Sequence, residues 1–232
     1  MNDKLFKFLE ERGDYSFPHA KETVDNLFRL ARFGQRDRST VTQELFQLLL
    51  TDPGFAFNFA RFSKEEGKPL DVDKPPSLQD AINAHDPFFI VSNMAAYEGH
   101  AQVFSEYPRI GSVYRRIAGE TTLHAKRLLG EVAVDQSCIA VFMVLSAVLP
   151  SMAIASMVPA LAWRVLVAGE QVDCVAEEIL GFRLSELAPY LDEKYGVPRS
   201  NNPAYPAATR ATAREAQLNL RIFLKHPHSK VA

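Results

Sequence analysis

The feature that most constrains this chain is an uncharged run, residues 136–163, which lies between Asp135 and Arg164. A membrane-spanning helix needs about 20 apolar residues, so the run is long enough for one span. Pro150 lies near its middle, and a proline inside a helix removes a backbone hydrogen bond and kinks or ends the helix. Two helices of about 13 residues would each be too short to cross a bilayer. We therefore expect a buried helical hairpin, with a lipid-facing hairpin or a true span as the alternatives.

The rest of the chain predicts helices almost throughout. Apolar residues recur at helical spacing, and 47% of the residues are hydrophobic, which is enough for a sizeable core. No segment gives a convincing strand, although the alternating phenylalanines of "FAFNFARF" leave a short strand open beside the preferred helix. The sequence predicts an all-α, bundle-like domain around the central apolar hairpin.

Capping and turn residues set the expected boundaries of several helices. Ser39 or Thr40 is expected to cap the helix that ends at "TDPG", and Ser77 is expected to cap the next helix after the linker. The stretch that begins at "DPFFIV" is expected to form one helix that ends at Pro108. Gly196 is a natural left-handed residue after a helix, and "TRATAREAQLNLRIFLKH" predicts an amphipathic last helix.

A proline-rich segment divides the chain. "EEGKPLDVDKPPS" is polar, contains three prolines and lacks periodicity, as is typical of a linker or surface loop. We therefore divide the chain into an N-terminal helical section (1–66), a linker or loop (67–76) and a main all-α domain (77–232).

Charge and composition limit the partners. The formal net charge is −2, which argues against nucleic acid because phosphate binding needs a concentrated basic face. The N-terminal residues lack an apolar core of signal-peptide length, so we expect a cytoplasmic protein, with contact to a membrane face left open.

Cys138 and Cys174 are expected to be buried thiols, and His85 is expected to be a cap or a surface group. Assembly into a homo-oligomer also stays open.

The apolar run is a candidate ligand site. The chain has 16 phenylalanines and one tryptophan, so an apolar pocket beside the hairpin is a reasonable expectation. A solid core without a cavity is the alternative. The candidate ligand-binding residues are Phe142, Met143, Ala153, Met157 and Trp163.

A polar helical face is a candidate metal site. Carboxylates and an imidazole recur within one sector of a presumed continuous helix, and such groups can ligate iron, manganese or zinc. The candidate ligands are Glu120, His124, Glu131 and Asp135, with Glu177 on an opposing helix. A solvated face that carries ion pairs is the alternative, and it is favoured because the Glu-x-x-His spacing of ferritin-like sites is absent from the sequence. No motif assigns catalytic residues.

The C-terminal half resembles one family. "LLGEVAVDQSCIAVF" followed by "ALAWRVLVAGEQVDCVAEEILGFRLSELAPYLDEKYGV" is similar in layout to the helical scaffold family of coenzyme Q (ubiquinone) biosynthesis. The His-Asp-x-x-His zinc motif of that family is replaced here by "RRIAG", and Glu131 is the one ligand that would match. The resemblance implies an all-α fold with an apolar groove for isoprenoid tails beside a membrane.

Three functions follow as expectations. The first is a helical protein that binds or processes an isoprenoid, a quinone or a lipid. The second is a metal-dependent helical enzyme of the oxygenase type, and the third is a helical protein that inserts into membranes or forms pores. A helical interaction module, whose surface carries the function, is the remaining possibility.

Overall fold

The computed structural model of the chain describes residues 3–12, 17, 19–32, 37–70, 77–95, 108–131, 137–146, 158–164, 172–196, 203 and 205–225. All regular structure in these ranges is helical, which confirms the predicted all-α class. The helices are α1 (Asp3–Arg12), α2 (Lys21–Arg32), α3 (Arg38–Thr51), α4 (Pro53–Glu65), α5 (Leu78–Asn83), α6 (Pro87–Ala95), α7 (Pro108–Leu129), α8 (Ser137–Ser146), α9 (Pro159–Ala162), α10 (Val172–Leu180), α11 (Leu184–Tyr195) and α12 (Ala207–Lys225).

Helices α3 and α4 lie at the centre of the packing. Helix α3 packs against α4, α5, α6 and α7, and α4 also packs against α6, α7 and α11. Helix α8 packs against α5, α7 and α12, while α2 packs against α6. One hydrophobic cluster runs through these elements from Leu5 to Ala216. It includes residues on both sides of the predicted linker, whose role as a domain boundary stays a prediction.

The phenylalanine-rich segment is helix α4, so the preferred helix is confirmed. Phe55, Phe57, Phe59 and Phe62 are all buried, although they lie on more than one side of the helix. A helix that is apolar around most of its circumference must be enclosed by other elements. The neighbours of α4 on several sides provide that enclosure, which explains why the alternating phenylalanines do not indicate a strand.

The structure confirms one of the two predicted helix N-caps and corrects the other. The Ser77 side chain accepts a hydrogen bond from the Asp80 N–H at 3.0 Å, and the two residues form a capping box, as expected. Helix α3 begins earlier than expected, with Asp37 rather than Ser39 or Thr40 at the N-cap position. The Asp37 carboxylate accepts a hydrogen bond from the Ser39 hydroxyl, which lowers the pKa of Asp37.

Pro108 begins a helix rather than ending one. It is the first residue of α7, where its missing N–H costs nothing because the first turn of a helix leaves that group without a helical partner. The expected helix from "DPFFIV" onward is α6, which is described as far as Ala95. Residues 96–107 lie outside the described part of the chain. Helix α7 continues without a break through Gly111 and Gly119.

The first half of the apolar run forms α8, which lies in the core. Its residues from Ala140 to Val144 are buried in succession, as in a helix enclosed on all sides. Residues 147–157, including Pro150, lie outside the described residues, and the run resumes at α9. Of the helices that the structure describes, none combines the length and the apolar character that a bilayer span requires.

The end of α11 and the position of the last helix agree with the predictions from the sequence. Gly196 directly after α11 has a φ of 60°, a left-handed conformation that glycine adopts without steric strain. Helix α12 covers nearly all of the predicted last helix and packs against α7 and α8.

Candidate functional site

The predicted metal ligands do not lie on one continuous helix. Helix α7 carries Glu120 and His124, both half-buried, and ends at Leu129. Glu131 follows in a turn, where its N–H donates to the Leu128 carbonyl at 2.9 Å, and its side chain is exposed. Glu131 therefore lies beyond the helix on which the common sector was predicted, because glycine at position 130 is a poor helix former and the chain leaves the helix there.

The opposing metal ligand is engaged elsewhere. Glu177 is exposed on α10, and its carboxylate pairs with the Arg183 guanidinium at 3.3 Å. Asp135 lies outside the described residues. Within the described ranges, no group of three or more histidine, cysteine, aspartate or glutamate side chains is placed to hold a metal ion. Cys174 is exposed on α10, which corrects the expected buried thiol, and the side chain of Cys138 is not described.

The predicted apolar ligand residues are divided between the interior and the surface. Phe142 and Met143 on α8 are completely buried, and Met143 packs with Tyr205 and Ala213. Trp163 is 43% exposed after α9. The other two candidates, Ala153 and Met157, lie outside the described residues. The structure thus places the described candidates in different environments, and binding of an apolar ligand stays a prediction.

A buried polar contact inside the phenylalanine-rich helix was missed by the sequence analysis. Asn58 of α4 is completely buried, and its amide both accepts from the Phe17 N–H at 2.9 Å and donates to the Phe17 carbonyl at 2.8 Å. The same amide nitrogen lies 2.8 Å from Nε2 of buried His19. A lone asparagine within "FAFNFARF" was the available signal, since a polar residue in an apolar run needs buried partners.

His85 is buried, which corrects its assignment as a cap or surface group. Its Nε2 lies 3.1 Å from the hydroxyl of buried Ser63, and the rings of Phe59 and Phe62 pack against it. Burial lowers the pKa of His85, and the positive charge of Lys68 lowers it further. A serine beside a histidine can serve nucleophilic catalysis. Here both side chains are enclosed in the core, which is typical of a structural hydrogen bond.

An open groove lies on the surface between α2 and α3. Its volume is about 340 Å³, within the size range of ligand sites, and it is open to solvent. Residues spaced by three or four positions place one face of α3 along the groove. The lining consists of Asn26 from α2 together with Thr40, Gln43, Glu44, Gln47, Leu48 and Thr51 from α3.

The groove carries hydrogen-bonding groups but little uncompensated charge. Arg29 of α2 donates to the Glu44 carboxylate at 2.5 Å and to the Asn26 side-chain oxygen at 3.2 Å. The Arg29–Glu44 contact joins α2 to α3 across the groove and pairs the carboxylate with a guanidinium, whereas the Arg29–Asn26 bond lies within α2. Gln43 and Gln47 are exposed, so their amides face solvent. We name this surface, defined by its seven lining residues, the α2–α3 groove.

Comparison with known proteins identifies the fold. No family model matches the chain, and no curated protein matches it. Two crystal structures of the response regulator MmoQ from Methylococcus capsulatus strain Bath are similar to it, with TM-scores of 0.63 and 0.60 at 18% and 19% sequence identity. Each alignment covers 94% of this chain, and they cover 90% and 87% of the two MmoQ chains. The chain therefore shares its fold with MmoQ over nearly its whole length.

At this level of sequence identity the likeness defines the fold alone. The predicted relation to the coenzyme Q biosynthesis family stays a prediction.

Proposed function

We propose that the chain is a helical regulatory module that passes on a signal by binding another protein through the α2–α3 groove. The observation that carries the proposal is the fold shared with a response regulator, which extends over 94% of the chain rather than over one supersecondary unit. Fold alone does not determine function, so the site has to supply the rest of the argument.

The α2–α3 groove supports a binding role. It is a concave surface that presents carboxamides and hydroxyls on one helix face, and the Arg29–Glu44 contact ties that face to its neighbour. Because the neighbouring helix holds α3 in place, the backbone under the groove does not have to be ordered when a partner binds. These properties suit recognition of a protein partner.

The experiment is a chromosomal replacement in the organism that encodes the chain. Deletion is expected to change a defined set of transcripts, and the wild-type gene restores them. The double variant Gln43→Ala, Gln47→Ala removes two groove amides and keeps good helix formers, so it should fold but fail to restore the transcripts. The matched control Gln79→Ala removes an exposed glutamine from α5 and should restore them.

Two results count against the proposal in different ways. An unchanged transcript profile after deletion contradicts the regulatory role itself. Full restoration by the double variant, at wild-type protein level, contradicts the assignment of that role to the α2–α3 groove.

A further inference from the structure

We propose that His19 is a proton-sensitive latch: uptake of a proton by its ring breaks the contact with Asn58 and frees Phe17 from helix α4. Three buried residues form the latch, and each of their contacting atoms has a definite role as hydrogen-bond donor or acceptor. The latch lies within the core and does not depend on the α2–α3 groove.

The orientation of the Asn58 amide is fixed by the main chain of Phe17. Its Oδ1 accepts from the Phe17 N–H at 2.9 Å, and its Nδ2 donates to the Phe17 carbonyl at 2.8 Å. A main-chain N–H only donates and a carbonyl oxygen only accepts, so a reversed amide would face like groups at both contacts. Both residues are completely buried, so bulk solvent does not supply alternative partners.

The same geometry assigns the proton on the His19 ring. Nε2 of His19 lies 2.8 Å from Nδ2 of Asn58. The amide nitrogen carries two hydrogens and cannot accept, and the Phe17 carbonyl takes one of the hydrogens. The other hydrogen therefore serves Nε2, which must be the ring nitrogen without a proton. The hydrogen-bond network thus makes His19 neutral, with its proton on Nδ1.

Proton uptake is incompatible with this arrangement. It places an N–H on both ring nitrogens, so Nε2 would face the amide nitrogen donor against donor. Either way out disturbs Phe17. If Asn58 turns its oxygen to the ring, it gives up both main-chain contacts. If the ring withdraws instead, it carries along the chain only two residues from Phe17.

The charged surroundings keep the opening local. On α4, Asn58 and the Phe55 ring contact His19, and neither of them titrates. Asp52 accepts from the N–H of the next residue, Ala20, at 2.8 Å, and it also caps α4. Its negative charge offsets part of the cost of a positive ring, and it keeps Ala20 attached when Phe17 is released. Other charged side chains near this segment are Lys21 and Glu22, exposed at the start of α2, and Lys194, which lies over the Tyr195 ring of α11.

The second buried histidine lacks this conflict. Nε2 of His85 lies 3.1 Å from the Ser63 hydroxyl. A hydroxyl can either donate or accept, so Ser63 can turn to accept from a protonated ring without losing the contact. His85 is therefore a matched comparison, because it is a buried histidine whose partner can adapt.

Phe17 is the part of the core that the latch controls. Its ring lies 5.0 Å from the ring of Phe57 on α4 and 5.0 Å from that of Tyr195 at the end of α11. Without Asn58, packing alone holds this ring, and the main-chain groups of Phe17 become open to water. A fall in pH should therefore loosen the contact between α4 and α11 at Phe17 while other helices stay packed.

Nitrogen-15 NMR of the intact chain with labelled histidine tests the neutral state. At pH 7.5 the His19 ring, assigned by its absence from the spectrum of His19→Gln, should carry its proton on Nδ1 and none on Nε2. A proton on Nε2 would overturn the inference.

Hydrogen exchange of the Phe17 N–H tests the release. It is expressed as a protection factor, which removes the direct effect of pH on exchange. Protection should fall at least tenfold between pH 7.5 and 5.5, while the amides of α3 keep theirs. His19→Gln keeps an oxygen acceptor for Asn58 but does not titrate, so Phe17 should stay protected at both pH values. The control His85→Gln should retain the tenfold fall.

Three exchange results would contradict the latch. They are unchanged protection of Phe17 in the wild type, an equal fall in His19→Gln, and a fall that the α3 amides share. If His19→Gln does not fold, assignment of the ring by through-bond NMR and the exchange of the wild type and His85→Gln decide the question.

Discussion

Asn58 shows how one polar side chain organises an apolar part of the core. Its amide satisfies both main-chain groups of Phe17, which is itself completely buried against the rings of Phe57 and Tyr195. Phe17, which lies outside the described helices, is thereby held against helix α4. Because the partners are main-chain groups, they stay buried when the side chain is changed.

We predict that Asn58→Leu lowers the free energy of unfolding by about 3 kcal/mol, since it leaves buried groups without partners at about 1–3 kcal/mol each. Urea unfolding followed by circular dichroism measures the change. The control is Asn93→Leu, which removes a local bond to the Phe89 carbonyl on the exposed side of α6 and should change stability by less than about 0.5 kcal/mol. Equal effects of the two substitutions would contradict the role given to Asn58.

His85 predicts a pH dependence of stability. Burial lowers the pKa of His85 in the folded protein, whereas the unfolded chain binds the proton near the ordinary value of 6.5. As the pH falls below 6.5, the unfolded state therefore takes up the proton first. The contribution of His85 to the free energy of unfolding is therefore complete above pH 6.5. It is lost progressively as the pH falls toward the pKa of His85 in the folded protein.

The expected result is that wild-type stability decreases more than that of His85→Gln between pH 7.5 and 5.5. Urea midpoints measured at several pH values for both proteins give the comparison, and groups common to both cancel in the difference. Parallel pH profiles, or a wild type that gains stability relative to the variant at pH 5.5, would show that His85 does not have a lowered pKa.

At the scale of elements, Asp52 connects the start of helix α4 to Ala20, which directly precedes helix α2. It follows α3 and caps α4, with its carboxylate accepting from the Gly54 N–H at 2.9 Å and the Phe55 N–H at 3.2 Å. The other carboxylate oxygen accepts from the Ala20 N–H at 2.8 Å, just before α2. Asp52 is buried, so solvent cannot replace these contacts.

We expect Asp52→Ala to destabilise the protein by about 2–3 kcal/mol, from the lost cap and the unpaired Ala20 N–H. Asp86 provides a matched control because it caps α6 through the Phe88 and Phe89 N–H groups but is exposed. Asp86→Ala should cost about 1 kcal/mol. Thermal or urea unfolding measures both, and a larger loss for the Asp86 variant would refute the argument.

Substitution of two glycines by alanine should change the stability of the protein in opposite directions. Gly119 lies within α7 with open space around its α-carbon, so Gly119→Ala should raise stability by about 0.5–1 kcal/mol through helix propensity. Gly196 has a left-handed φ of 60°, so Gly196→Ala should lower stability by about 1 kcal/mol. Differential scanning calorimetry of the two variants should show Tm shifts in opposite directions, and shifts of one sign would contradict this assignment.

The helical segments were predictable from the sequence, whereas several helix boundaries and the burial of several side chains were not. Periodicity and caps located α4, α5, α11 and α12 because these signals are local. Pro108 was assigned to the wrong end of a helix, since proline is compatible with both a helix start and a stop. Burial of His85 depends on Ser63, which lies 22 residues away in the chain, and no local pattern contains that contact.

On the scale of the whole molecule, the core was predictable and the candidate site was not. Most of the buried residues that the structure describes in the apolar run belong to the main hydrophobic cluster together with the phenylalanine-rich helix, as their composition indicated. The α2–α3 groove arises only when Asn26 and Arg29 meet the polar face of α3, and that arrangement depends on how α2 packs against its neighbours. The sequence directed attention to apolar runs and clustered acidic residues, while five of the seven groove residues carry an amide or a hydroxyl.

The measurement that tests the account most directly is photo-cross-linking in living cells from a benzophenone amino acid at position 43. We predict a cross-link to one partner protein, which peptide mass spectrometry can identify. Addition of Gln47→Ala should weaken the cross-link, and the same probe at position 79 should not give it. No product from position 43, or the same products from both positions, would contradict partner binding through the α2–α3 groove.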